Sequence, residues 1–273
     1  GYAWDTSAKR DWRKGEAVAE ASITLLERAA SQSKPFFLFL HFWDPHTPYL
    51  PPAPFDRMYY QGNAKDPSND SMAALWAFEP FKWYFHEWMP GVTDIEFPKA
   101  QYDAEIAYMD CCLARVLTRI EELDLVRNTL LVLTADHGEE LDEHGCWFDH
   151  HGLYDTNVRV PLVMRLPGTI PAGVRIGGLV RSLDVLPTIL DLAGIEPPPS
   201  DGASMVPLME TAGSREDRGT CDEIHLTENT WMKKRGIRTA TWKLIRALEP
   251  DIHGFPPVEL YRLTDDPEEQ RNV

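Results

Sequence analysis

The strongest constraint on the fold is a pattern that occurs twice: an amphipathic helix followed by a short, wholly apolar run. From Lys14 to Ala30, the residues Val18, Ala21, Ile23, Leu25 and Leu26 recur at helical spacing among Glu and Arg. Ser31-Gln32-Ser33 breaks that helix, and Pro35 to Leu40 (PFFLFL) then reads as a fully buried strand, the kind covered on both faces. Gln101 to Leu123 repeats the first half of the pattern, with Ile106, Met109, Leu113, Val116, Leu117 and Ile120 on one stripe. Leu130 to Leu133 repeats the second half. This alternation predicts an α/β layer architecture with a mostly parallel central sheet flanked by helices.

The second apolar run ends in Asp136-His137-Gly138. In open α/β sheets, ligands bind outside the carboxyl ends of the strands. A carboxylate and an imidazole placed there suit a divalent metal, with Gly138 allowing a sharp backbone turn. The competing reading has Asp136 capping a turn and His137 merely exposed. After the first run comes HFWDPHTPYLPPAPF, whose five prolines exclude regular structure and make a rigid extended loop. His41, among apolar and aromatic neighbours, reads as a core histidine. His46, framed by Pro45 and Pro48, reads as a site residue, with a plain surface turn as the alternative.

Residues 63–98 form an insertion that begins polar and becomes dense in aromatics: Trp76, Phe78, Phe81, Trp83, Tyr84, Phe85 and Trp88. These are expected to build a small satellite core; stacking on sugar rings is the functional alternative. Further strands are expected at Pro161 to Leu166 and Gly177 to Leu183, and a helix from Val185 to Ala193 with Asp184 as its N-cap. Pro197-Pro198-Pro199 reads as a linker. Beyond it, Ile237 to Thr241, Trp242 to Ile245 and Glu259 to Leu263 predict a small antiparallel α+β subdomain. The expected division is therefore 1–199 for the α/β domain and 200–273 for the C-terminal subdomain.

Charge narrows the partners. With a formal net charge of −16 and no basic stripe, the chain is not expected to bind nucleic acid. An anionic substrate needs a local positive centre. No apolar run approaches the ~18 residues of a membrane span. Cys111, Cys112, Cys146 and Cys221 form no CxxC pair, which leaves the redox compartment open. Cys111 and Cys112 fall within a helix and read as inert small hydrophobes.

Several blocks, in order, resemble the sulfatases of the alkaline-phosphatase-like superfamily: KPFFLFLHFWDPHTPYLPP, YDAEIAYMD, TADHGEELDEHG, HGLYDTNVRVPLV, SLDVLPTILDLAGI, and WKLI followed by ELYRLTDDPEEQRN. The resemblance implies sulfuric-ester hydrolysis, with Asp136 and His137 as metal ligands and His46 contacting the sulfate. A basic residue five positions before the acid of a Tyr-acid pair completes the family's sulfate site. Counting back from Asp155 gives His150, with His151 one step away; many sulfatases have Lys there, and a histidine would make that charge depend on pH near neutrality. Calcium is the implied metal, although the imidazole of His137 keeps manganese and zinc in play. Glu139, Glu140, Asp142, Glu143 and His144 read mostly as a solvated acidic loop. A sulfated glycan is the substrate class the aromatic insertion suggests.

The family's paired aspartate on its first strand and its Cys-or-Ser-x-Pro-Ser-Arg nucleophile motif do not occur in these 273 residues. Cys111 to Arg115 has a Cys and an Arg at similar spacing, without the Pro or Ser. The expectation is a piece of a longer protein, inactive alone. The alternatives are a phosphodiesterase or phosphonate hydrolase of the same superfamily, and a non-catalytic module.

Overall fold

The computed structural model describes residues 13–32, 34–210 and 219–273. The chain divides into two compact units at Leu125.

In the first unit, α1 (Gly15–Ala30) packs on α4 (Glu96–Glu122). Ala19, Ser22 and Leu26 are the buried face of α1. On α4 the buried residues Ala104, Tyr108, Cys112, Val116 and Ile120 follow one another at four-residue steps. This stripe differs from the expected one: Val116 and Ile120 are shared, but Ile106 and Leu117 are each 38% exposed. The reason is visible in two polar residues that join the buried face. Gln101 donates through its side-chain nitrogen to the Asp56 carbonyl at 3.1 Å, and Glu105 accepts the Leu50 N–H at 2.8 Å. Hydrogen bonding lets these side chains be buried without the penalty of an unpaired polar group, and that rotates the helix. Exposed pairs such as Arg119 with Glu27 (2.9 Å) line the rim of the contact and add about 0–1 kcal/mol each.

The insertion forms α2 (Ala73–Ala77) and α3 (Glu79–Trp88). Met72, Leu75, Phe81, Phe85, Met89 and Val92 are all buried, and the Trp76 indole donates to the Val92 carbonyl at 2.7 Å. It is a satellite core, as the apolar spacing indicates. Trp83, at 59% exposure, stays outside it.

Pro35 to Leu40 is not a strand. The segment is irregular, and Phe37 and Phe39 are 81% and 75% exposed. A strand exists only through a ladder with a neighbour, and none among the described residues pairs with it. His41, expected in a core, is exposed for the same reason.

In the second unit, β1 (Leu131–Thr134) pairs with β2 (Leu162–Arg165) in an antiparallel register, Leu131 opposite Arg165 and Thr134 opposite Leu162. Among the described residues this two-stranded ladder stands where the mostly parallel central sheet was expected. Residues 177–183 form no strand either: Arg181 and Asp184 fold the chain into a turn. The Arg181 N–H and guanidinium both reach the Asp184 carboxylate, at 2.8 and 3.0 Å. Asp184 precedes α6 (Val185–Leu192) as expected, but its carboxylate bonds Arg181, Ala203 and Thr220 rather than the first turn of that helix. A short α7 (Val206–Glu210) follows.

The chain closes with an antiparallel meander of β3 (Glu223–Asn229), β4 (Lys233–Thr239), β5 (Trp242–Ala247) and β6 (Val258–Arg262). The alternation in the sequence predicts three of these strands, and β3 is the addition. Ile245 and Tyr261 from this sheet bury against Leu153, Tyr154 and Leu263, each full side-chain burial stabilising by roughly 1.5–3 kcal/mol.

A candidate metal and anion site at the exit of strand one

The chain leaves β1 through Ala135 into Asp136-His137-Gly138. Gly138 does not need an unusual backbone angle here; it is required by close approach. Its N–H donates to the Asn157 carbonyl at 2.7 Å, and a Cβ would collide with the carbonyl of Thr156. The backbone of this loop is thereby pressed against α5 (Asp155–Val158).

His137 meets the Gly138 carbonyl through Nδ1 at 2.8 Å. A carbonyl only accepts, so Nδ1 carries the proton and the lone pair is on Nε2. That Nε2 lies 3.9 Å from Asp136 Oδ2. Two ligand atoms so separated can share one divalent cation at about 2.0–2.6 Å from each. Asp136 is 79% exposed at its side chain, so it can turn to a ligand at little cost. The carboxylate-imidazole pair fits a divalent metal.

A bridge between Glu140 and Asp149 closes the loop, with N–H to carbonyl distances of 2.8 and 3.3 Å. It returns the chain so that the His150 ring stacks on His137, centroids 4.1 Å apart. Asp149 organises both following histidines: its Oδ1 is 3.3 Å from His150 Nδ1 and 2.9 Å from His151 Nδ1. Burial opposes ionisation of Asp149, but the hydrogen bond and charge of His151, with the charge of His150, outweigh it and hold the carboxyl below its usual range. The two histidines differ in access: His150 is 36% exposed at its side chain and His151 only 2%. In the first unit, His46 is half-buried, its ring against Trp43 at 4.4 Å and its Nδ1 2.7 Å from the Thr47 carbonyl.

The acidic run beyond His137 is not a solvated loop. Glu139, Glu140 and the His144 side chain are buried. His144 lies flat on Tyr154, centroids 3.7 Å apart, with Nδ1 3.0 Å from Glu140. Burial resists charging His144, yet the Glu140 carboxylate prevails and raises its pKa. Glu140 also accepts the Thr156 hydroxyl, which ties the run to α5.

Sequence reasoning missed the charged residues behind this loop. Lys243, fully buried, reaches Asp155 and Glu269, and Tyr154 donates to Glu259 at 2.6 Å. The signal was present in the period of β5: Lys243 is in phase with the buried Ile245.

Solved structures share this fold. The chain superposes with a TM-score of 0.70 and 24% identity on the phosphonate monoester hydrolase of Agrobacterium radiobacter, covering 96% of this chain and 57% of that one. On a protein in complex with its substrate D-glucosamine-2-N,6-O-disulfate the TM-score is 0.67 at 23% identity, covering 95% and 65%. These likenesses establish an alkaline-phosphatase-like fold.

The chain belongs to the sulfatase family. The Sulfatase family model matches residues 4–195, and the model for the C-terminal part of N-sulphoglucosamine sulphohydrolase matches 142–273. An N-acetylglucosamine-6-O-sulfatase of Bacteroides thetaiotaomicron is 34% identical over 178 residues, 63% of this chain and 31% of that protein. Human arylsulfatase K is 27% identical over 299 residues, 97% of this chain and 52% of that protein. The chain thus spans about a third to a half of the length of these relatives.

Proposed function

We propose that the protein is a metal-dependent hydrolase of sulfuric esters, in which Asp136 and His137 seat a divalent cation, calcium first and manganese or zinc as alternatives. The observation that carries this reading is the stack of His150 on His137, beside a carboxylate oxygen 3.9 Å from His137 Nε2. When bound, the cation supplies Lewis-acid neutralisation of sulfate oxygens. His150 is assigned the sulfate contact that the Tyr154-Asp155 pair marks, because it has the access that His151 lacks. His151 is assigned to hold Asp149 in place. His46 is assigned a second sulfate contact, and a protonated histidine of this set delivers the proton to the leaving alcohol oxygen.

The substrate we propose is a sulfated glycan. The relative named N-acetylglucosamine-6-O-sulfatase supports an amino-sugar sulfate. We propose further that residues 1–199 serve as the catalytic portion and 200–273 as a supporting subdomain, a division supported by the end of the Sulfatase family match at 195.

Calorimetric titration of the chain with calcium and with manganese tests the metal reading; Asp136→Asn and His137→Ala are each expected to weaken binding at least about tenfold. Unchanged affinity in both variants removes these residues from the metal. Turnover is measured on the protein as its native gene encodes it, with an aryl sulfate against a phosphodiester and a phosphonate monoester. Far faster cleavage of the phosphorus esters transfers the assignment to phosphoryl chemistry, a reading favoured by one relative of 31% identity named a multifunctional alkaline phosphatase superfamily protein.

A further inference from the structure

Two C-terminal blocks, Trp242 to Ile245 and Glu259 to Asn272, have no part in the chemistry just described. We propose that they are a latch: Lys243, with Glu259 and Glu269, positions the loop that carries His150 and His151. This rests on His150 meeting the anion.

The loop needs such a device. Residues 150–154 have no regular secondary structure, so no helix or ladder fixes them. Instead, three successive residues are gripped from the C-terminal sheet and tail. Lys243 Nζ donates to the Leu153 carbonyl at 3.0 Å. The Tyr154 hydroxyl donates to Glu259 Oε2 at 2.6 Å, an oxygen that also accepts from Tyr261 at 2.8 Å. The Asp155 N–H donates to Glu269 Oε2 at 2.5 Å, and its carboxylate takes Arg238 at 2.9 Å and Lys243. Lys243 then closes the circuit on Glu269 Oε1 at 2.6 Å.

From Asp155 the constraint passes back to the site. Asp155 opens α5, and Asn157 of that helix donates to the His151 carbonyl while its own carbonyl holds Gly138. Both backbone arms of the His137-His150 pair are thus tied to one block.

The chemistry of the latch argues for geometry rather than stability. Burying a lysine among carboxylates is costly, and a well-packed apolar residue is often as stable or more so. What the ionic grip adds is direction: a carbonyl, an N–H and a carboxylate are each fixed at a stated atom. A displacement of about 1 Å in a reacting group lowers turnover on the order of 100-fold.

The test compares the full chain with Lys243→Met and Lys243→Arg, read by proton–carbon NMR of the imidazole rings and by thermal melting. In a folded Lys243→Met protein, the His137 and His150 ring signals are expected to shift and broaden as their stack loosens. The exposed His225 should stay put, and Lys243→Arg should move the signals back toward wild type. Unmoved His137 and His150 signals in folded Lys243→Met overturn the proposal, as does an equal shift of every histidine. If Lys243→Met does not fold, Glu269→Gln, which keeps an acceptor for Asp155, is judged by the same criteria. In the native gene product, kcat for an aryl sulfate should fall on the order of 100-fold in Lys243→Met. Absence of any sulfate turnover in wild type refutes the sulfatase reading alone, because the ring signals report the latch independently.

Discussion

Glu105 offers the sharpest quantitative test of the first unit. One of its oxygens accepts the Leu50 N–H at 2.8 Å. The other, like Asp44 Oδ2, is buried with no donor among the described residues. A proton shared between the two carboxyls satisfies both. Burial first, and then Asp44, push the Glu105 carboxyl up to about 8; the weaker opposing influences are the Leu50 N–H and Lys14. A group whose folded pKa is raised contributes stability that is complete below its unfolded pKa and is lost as pH rises through the folded one. The loss therefore falls between about pH 5 and pH 8. One proton is worth about 1.4 kcal/mol per pH unit, giving up to about 4 kcal/mol over that window, which solvent screening reduces to about 2 kcal/mol. In Glu105→Gln the amide oxygen still accepts from Leu50, and the amide nitrogen can donate to the Asp44 carboxyl. Urea unfolding at pH 5, 6, 7 and 8 should show the variant gaining on wild type as pH rises, by about 1 M in midpoint at pH 8. Parallel curves for the two proteins across this range would refute the shared proton.

The other predictions concern the second unit. Gly138→Ala should unseat the Asp136-His137 loop from Thr156 and lower calcium affinity while α1 and α4 keep their helical signal, measured by calorimetry and circular dichroism. Tyr154→Phe leaves the buried Glu259 short of a donor and should cost about 1–3 kcal/mol in urea unfolding. Burial holds His253 down to about 4. Its neutral form therefore stabilises the fold above about pH 6.5, and this contribution is lost as pH falls toward 4. His253→Phe, which retains the stack on Phe255, should unfold at higher urea than wild type at pH 4.5 and show no such gain at pH 7.

The local signals in the chain were decisive where the partner of a segment lies nearby. The α1 helix follows from its own spacing, β1 and β2 from their short apolar runs, although not that they pair or in what direction, and three of the four C-terminal strands from their strand-like composition. The satellite core of the insertion was legible in the same way, its aromatics lying close together in the chain. The Asp136-His137 pair was visible because a strand end discharging into ligand-type side chains is a local event.

Remote pairing decided the rest. Pro35 to Leu40 has the composition of a buried strand, yet composition cannot supply a hydrogen-bonding neighbour; none among the described residues pairs with it, and its phenylalanines are exposed. The stripe on α4 turned because Leu50 and Asp56, about 45 to 55 residues away, offered partners to Glu105 and Gln101. His150 and His151 are chemically identical neighbours in sequence; the fold leaves His150 accessible and buries His151, whose ring lies beside Trp231 and His253. Lys243 looks like any strand lysine until Asp155, 88 positions earlier, is brought to it. The amino acids alone fixed which groups are available for metal and anion chemistry. Tertiary structure decided which of them face one another, since charge pairing and ladder formation depend on distance in space rather than along the chain.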